Sequence, residues 1–202
     1  MKRPKSYISM DELGTLQKYL LECIHLEGDM AEVGIAHGGT SRRMIIYAKE
    51  TGYKKTLHMF DSFGAMPSLS TPEETEAQIK IRGTAFNFEG FEDTEESIRA
   101  VFDAYDLTDY EIHKGLTSDT LPKFDKKLCF VHGDVDLYEP MKDVGRMATR
   151  LLVSGGYYLA HDYNDPTWVG ATRATDELLE EGNFELVEIR KSKHGQCVMR
   201  RK

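Results

Sequence analysis

Two apolar runs in this chain each end in side chains that can do chemistry. Residues 128–131 lead into His132-Gly-Asp-Val-Asp-Leu-Tyr-Glu-Pro140, which presents Asp134 and Asp136, and Gly155-Gly-Tyr-Tyr-Leu-Ala160 leads into His161 and Asp162. An apolar run that stops at carboxylate or imidazole reads as a buried strand delivering charged groups to the rim of a sheet, where α/β enzymes hold metals and substrates. A third place of interest is Glu32-Val-Gly-Ile-Ala-His-Gly-Gly-Thr-Ser41. Its glycines permit a tight turn and a close ligand, and the N–H groups of a following helix would face that ligand. The spacing is G-x-x-x-G-G, which is neither the dinucleotide G-x-G-x-x-G nor a P-loop with its lysine. Asp61 closes the next apolar run, at a position where an acid can bind both hydroxyls of a ribose. Loop and acid together suit an adenosine-bearing cofactor with no obligatory phosphate site. The blander alternatives are a structural turn for the glycines and a turn cap for Asp61.

Stepping outward, periodicity supplies the elements that must position these groups. Apolar residues Leu13, Leu16, Leu20, Cys23 and Ile24 fall at helical spacing over residues 11–26. Strands are expected at 30–35, 56–60, 110–113, 128–133 and 156–160. Helices are expected after Thr40-Ser41 as a cap, over 93–105, from about 138 to 151, and from about 167 to 181. Residues 184–189 and 196–200 are strand-like, and the turn between them is too short for a parallel crossover, so they form an antiparallel hairpin. The fold class is therefore α/β: a doubly wound, Rossmann-like parallel sheet that closes with a C-terminal hairpin. That order of elements resembles the class I S-adenosylmethionine (SAM) methyltransferase fold, which implies a seven-stranded sheet in the order 3-2-1-4-5-7-6. SAM also fits the glycine loop and Asp61 better than NAD or ATP does.

Composition narrows the partners. The chain has 202 residues, 40% of them hydrophobic and 30% charged, with a formal net charge of −8. That size suits a single domain spanning 1–202, and the acidic balance argues against a nucleic-acid partner. There is no apolar run of membrane-spanning length and none after the basic N-terminus, so neither a membrane nor a secretory leader is expected. Cys23, Cys129 and Cys197 are too few and too scattered for a disulfide framework, and a cytoplasmic setting fits best. Residues 1–28 form an N-terminal helical cap. Residues 62–92, irregular and with one short helix, read as a substrate lid, since long insertions in compact domains are usually functional or disordered.

The quoted segments, with Asp61-Ser-Phe-Gly-Ala-Met-Pro67, Ser118-Asp-Thr-Leu-Pro122 and Ser154-Gly-Gly-Tyr157, together resemble the macrocin O-methyltransferase (TylF-type) family. The resemblance implies a SAM-dependent, divalent-metal-assisted O-methyltransferase acting on a hydroxyl of a sugar or natural-product moiety. It implies that Glu32, Gly34, Gly38, Gly39, Thr40, Ser41, Asp61, Ser62, Ser118, Asp119 and Asp134 surround the cofactor. The metal ligands fall on Asp134, His161 and Asp162, with Asp134 and His161 also catalytic. Position 161 departs from the family, which usually has Asp-Asp there. An imidazole moves metal preference from Mg²⁺ toward Mn²⁺, Fe²⁺, Co²⁺, Ni²⁺ or Zn²⁺. The short N-terminal segment implies a substrate cap that is reduced or supplied by a neighbouring subunit, so a homo-oligomer stays open.

Alternatives stand beside these roles. Asp134 and Asp136 can cap the helix that starts near Leu137, and for Asp136 the cap is preferred. His132 reads as a core histidine, and His37 as an exposed loop residue. His161 is a metal ligand, a base in a metal-free enzyme together with Asp134, or structural. Trp168, Tyr163, Phe86 and Phe88 line a substrate pocket or simply pack. At the level of the whole protein, the alternative to an enzyme is a SAM-binding protein of the same fold with weak or no catalysis.

Overall fold

The computed structural model describes residues 6–64, 71–84 and 94–202. Phe86 and Phe88, and the flanks of the expected lid, lie outside the described residues. Seven strands form one sheet: β1 (Asp29–Val33), β2 (Leu57–Asp61), β3 (Tyr110–Lys114), β4 (Leu128–Gly133), β5 (Leu152–His161), β6 (Phe184–Arg190) and β7 (Gln196–Arg201). Their order is 3-2-1-4-5-7-6, as the element order predicts. β7 enters antiparallel between β5 and β6, so β1 and β4 lie side by side where the chain reverses direction across the sheet.

The helices α1 (Met10–Cys23), α2 (Gly39–Thr51), α3 (Pro72–Arg82), α4 (Glu95–Asp103), α5 (Thr117–Thr120), α6 (Tyr138–Leu151) and α7 (Val169–Glu180) surround it. Period-two alternation along the strands builds a core on each face. Met30, Met59, Phe130 and Leu159 pack with α1, α2 and α4 residues such as Leu16, Ile45 and Phe102. Val33, Val131, Tyr158 and Ala160 pack with Val144, Ala148, Ala174 and Leu178 of α6 and α7. All three cysteines are free and buried.

Several boundaries differ from the sequence expectation for identifiable reasons. β5 starts at Leu152 rather than Gly156, because the pairing with β4 shifts register and Gly155 takes φ +84° to absorb it. Thr40 and Ser41 are not the cap of α2. Gly38 is, in the left-handed region, and no side chain caps the end. Asp136 is not the cap of α6 either. Leu137 holds that position without a side-chain bond, and the Tyr138 N–H is instead taken by Glu74 Oε1 of α3 at 2.8 Å. α5, a single turn, was not expected as a helix. α3 is the short helix foreseen within 62–92; Thr71 and Glu74 close a capping box at its start.

Candidate active site

The C-terminal ends of β1, β2, β4 and β5 open into one cavity of about 330 Å³ bordered by Gly34, Asp61, Asp134, His161, Asp162 and Trp168. Its floor depends on Gly34. With φ +85°, a Cβ there would lie 1.9 Å from the Asp134 carbonyl oxygen, so only glycine lets the β1 loop pass over the end of β4. Four non-glycine residues in or beside the cavity walls, Ala36, Phe63, Asp136 and Asp162, also hold positive φ. Such conformations cost of order 1–3 kcal/mol each and concentrate at functional sites.

On the β1–β2 side, Asp61 organises the backbone. Its Oδ2 accepts the N–H groups of Ile35 (2.9 Å) and Ala36 (3.2 Å), and its Oδ1 accepts the Phe63 N–H at 2.8 Å. Ser62 also borders the cavity. Glu32 and Ser41 turn inward instead: the Ser41 hydroxyl donates to Glu32 Oε2, and Glu32 Oε1 lies 3.1 Å from His132 Nδ1. Burial pushes the Glu32 carboxyl up, with His132 and Ser41 opposing. This buried triad lies beneath the loop, and it accounts for His132 as a core residue. Gly38, Gly39 and Thr40 likewise lie off the cavity, and Gly38 packs on Phe102. Ser118 and Asp119 are exposed on α5, and their neighbours Gly115, Leu116 and Thr117 line the cavity in their place.

On the β4–β5 side the groups are charged and in contact. His161 Nδ1 lies 3.0 Å from Asp134 Oδ1 and 3.2 Å from Asp162 Oδ1. Burial disfavours the imidazolium, but Asp134 and Asp162 overcome it and raise the His161 pKa well above the usual histidine range. Burial also opposes ionisation of Asp134, yet His161 holds that carboxyl down at about 2. Asp162 moves up, driven by burial. Asp136 moves well up, driven by burial and by the charges of Asp162 and Asp134.

The donor set fits a divalent cation. One atom each of Asp134, His161 and Asp162 falls within 4.8 Å of the others, and the 3.0 and 3.2 Å separations match neighbouring ligands of an ion bound at about 2.1 Å. The buried His161 ring nitrogens have close carboxylates but no hydrogen bond of good geometry.

Sequence reasoning missed two contributors. Glu12 of α1 is fully buried; its Oε1 accepts the His194 N–H at 2.9 Å and lies 3.9 Å from His161 Nε2. Burial pushes its carboxyl up, but the Ser9 and His194 N–H groups outweigh this and bring it down to about 2. His194, in the β6–β7 turn, sits 3.2 Å from Asp165 and 4.0 Å from Asp162, and with Lys193 it borders the cavity. The only sequence signal for Glu12 was the Ser9-x-x-Glu12 capping box. Of the aromatics, Trp168 lines the cavity, whereas Tyr163 packs away with its hydroxyl on Asp176 at 2.7 Å. His37 is partly exposed and bonded to Tyr7 at 2.8 Å.

A glycine-containing loop after β1, an acid ending β2 and a closing hairpin define a SAM-dependent methyltransferase. The family model for macrocin-O-methyltransferase (TylF) matches residues 7–186, and the chain belongs to that family. No curated protein sequence matches it. Among solved structures it is similar to the O-methyltransferase NovP, with a TM-score of 0.83 at 22% identity, covering 98% of this chain and 82% of that one. Similar too is CalS11, calicheamicin methyltransferase, with a TM-score of 0.72 at 18% identity, covering 95% and 79%. An O-methyltransferase from Bacillus cereus in complex with SAH gives 0.64 at 15% identity, covering 99% and 84%. At these identities the likeness is one of fold. Among the described residues no helix is long and apolar enough to cross a membrane.

Proposed function

We propose that this chain is a divalent-metal-assisted O-methyltransferase that moves the methyl group of SAM to a hydroxyl of a small sugar-like or natural-product acceptor. The observation that carries the reading is that one cavity joins Asp61 and its organised loop to Asp134, His161 and Asp162. SAM supplies an electrophilic methyl when bound, and a divalent cation held by Asp134, His161 and Asp162 would make an acceptor hydroxyl easier to ionise.

The chain's own residues do the rest. The Asp61 oxygens hold the Ile35 and Ala36 N–H groups and keep lone-pair capacity for ribose hydroxyls. The acidic β4–β5 cluster receives the acceptor hydroxyl and takes its proton, with Asp134 held as carboxylate by His161. Trp168 and the wall at Leu116 exclude water from the reacting centre, and positioning supplies much of the rate. Arg82 at the end of α3 borders the acceptor side of the cavity, and α1 forms the cap on the other side, with Glu12 near His161. CalS11 is described as a TDP-rhamnose 3'-O-methyltransferase, and a sugar hydroxyl suits this cavity as well.

The test is turnover of SAM with a panel of glycosides, polyols and phenols, with and without EDTA, followed by metal add-back. Activity should vanish in EDTA and return better with Mn²⁺, Co²⁺ or Zn²⁺ than with Mg²⁺, and His161→Asp should shift the preference toward Mg²⁺. Full activity in EDTA would replace the metal with a His161–Asp134 base. SAM binding without any turnover would leave a non-catalytic SAM-binding protein.

A further inference from the structure

A second cluster of ligating side chains lies across β2 and β3, outside the strand-end cavity. The parallel register sets His58 opposite Glu111 and Phe60 opposite His113, so alternation places His58, Glu111 and His113 on one face. His58 Nδ1 lies 3.2 Å from His113 Nε2 and 3.4 Å from Glu111 Oε2, and those last two atoms are 3.9 Å apart. The point equidistant from these three atoms lies about 2.0 Å from each, within the range of zinc bonds to imidazole nitrogen and carboxylate oxygen.

The surroundings match what a ligating histidine needs. His58 Nε2 is 3.4 Å from Asp29 Oδ2, and Asp29 Oδ1 accepts the Thr56 N–H at 3.0 Å. With Nε2–H donating to this carboxylate, Nδ1 is left as a lone-pair donor, the outer-shell arrangement that tunes metal-bound histidines. The His113 ring is fixed by stacking on Phe60, with centroids 4.4 Å apart, and by the edge of Phe124. Burial and the neighbouring His58 lower the His113 pKa, which favours its neutral, ligating form. His58 is buried, while Glu111 is exposed, so a fourth position opens to water on the Glu111 side.

We propose that the β2–β3 edge is a structural zinc-type site, with His58 Nδ1, His113 Nε2 and a Glu111 oxygen as ligands and Asp29 as the outer partner. Two imidazoles select a borderline transition metal over Mg²⁺ or Ca²⁺. The ion would pin β3 to β2 just below Asp61 and Gly115, whose backbones already bond at 2.9 Å. This inference does not depend on the methyltransferase chemistry.

The test uses the full chain, stripped with a chelator, in an Asp134→Asn/Asp162→Asn background that silences the cavity. Equilibrium dialysis with Zn²⁺ should give a single retained equivalent, and Co²⁺ should show the intense visible bands of a four-coordinate ion. His113→Gln, near the surface and so tolerant of change, should abolish retention with an unchanged circular dichroism spectrum. Asp29→Asn should weaken it roughly 10–100-fold. No retention in the silenced background, or equal retention after His113→Gln, would overturn the site and leave an ordinary histidine–histidine hydrogen bond.

Discussion

On the β1–β2 side of the cavity one carboxylate, Asp61, faces backbone N–H groups of the β1 loop and of its own turn. On the β4–β5 side, side chains of opposite sign press together at 3.0 and 3.2 Å, and their neighbours arrive from α1 and from the β6–β7 turn. The first half is built from a single carboxylate and the peptide N–H groups it accepts. The second is convergent and electrostatic, and its properties belong to the cluster rather than to any one residue. Under the proposed function the difference teaches where each role can vary: cofactor recognition would be tied to the chain path, while acceptor chemistry could be retuned by single substitutions at strand ends.

Substitutions in the two halves should therefore behave differently. The largest effect is expected from Asp134→Asn, which should lower kcat/KM roughly 10²–10⁴-fold, the scale of a lost proton-transfer group, with SAM affinity nearly intact. A loss of SAM binding by calorimetry, matching the loss of rate, would erase the division between halves. Next, Asp61→Ala should weaken SAM or S-adenosylhomocysteine by about 1.5–3 kcal/mol, the value of hydrogen bonds to a charged group. Unchanged affinity would remove Asp61 from the cofactor side.

A third test reaches the convergent half through α1. The Glu12 carboxyl is held at about 2, below its ordinary value of 4.5, so its stabilising contribution is complete above that ordinary value and is lost as pH falls through the lower one. Glu12→Gln should cost about 2 kcal/mol at neutral pH. The gap between denaturation midpoints should narrow as the pH is lowered toward 3. A pH-independent gap would mean that packing, not charge, holds α1 to the site. The smallest effect is expected from Thr71→Ala, about 1 kcal/mol from a lost helix cap. Hydrogen exchange should quicken within α3 and stay unchanged in α1.

Legibility in the sequence followed the same division. The span of α6 followed from periodicity, the closing hairpin from the short final turn and the strand order from the resemblance to the methyltransferase fold, and Asp61, Asp134, His161 and Asp162 were visible because each ends an apolar run. Glu12 and His194 were not, because neither ends an apolar run, and only the antiparallel entry of β7 beside β5 brings the β6–β7 turn over the strand ends. Glu32 and Ser41 were legible as part of the loop motif, and the buried carboxylate on β1, which needs partners, finds them in Ser41 and His132. The cap expected from Asp136 failed because Glu74, from another helix altogether, supplies the acceptor.

That role of Glu74 bears on how this scaffold could be re-engineered. Its Oε2 closes the start of α3 while its Oε1 takes the first N–H of α6, and it lies so close to α7 that a Cβ at Gly170 would come within 1.9 Å of it. α3 is therefore not an interchangeable module. A graft that swaps residues 71–84 for those of another enzyme, to borrow its acceptor range, would orphan the Tyr138 amide unless it keeps an acid at position 74 and glycine at 170. The defect would surface at the start of the helix that follows Asp134 and Asp136, so a transplant meant to alter selectivity would first cost turnover.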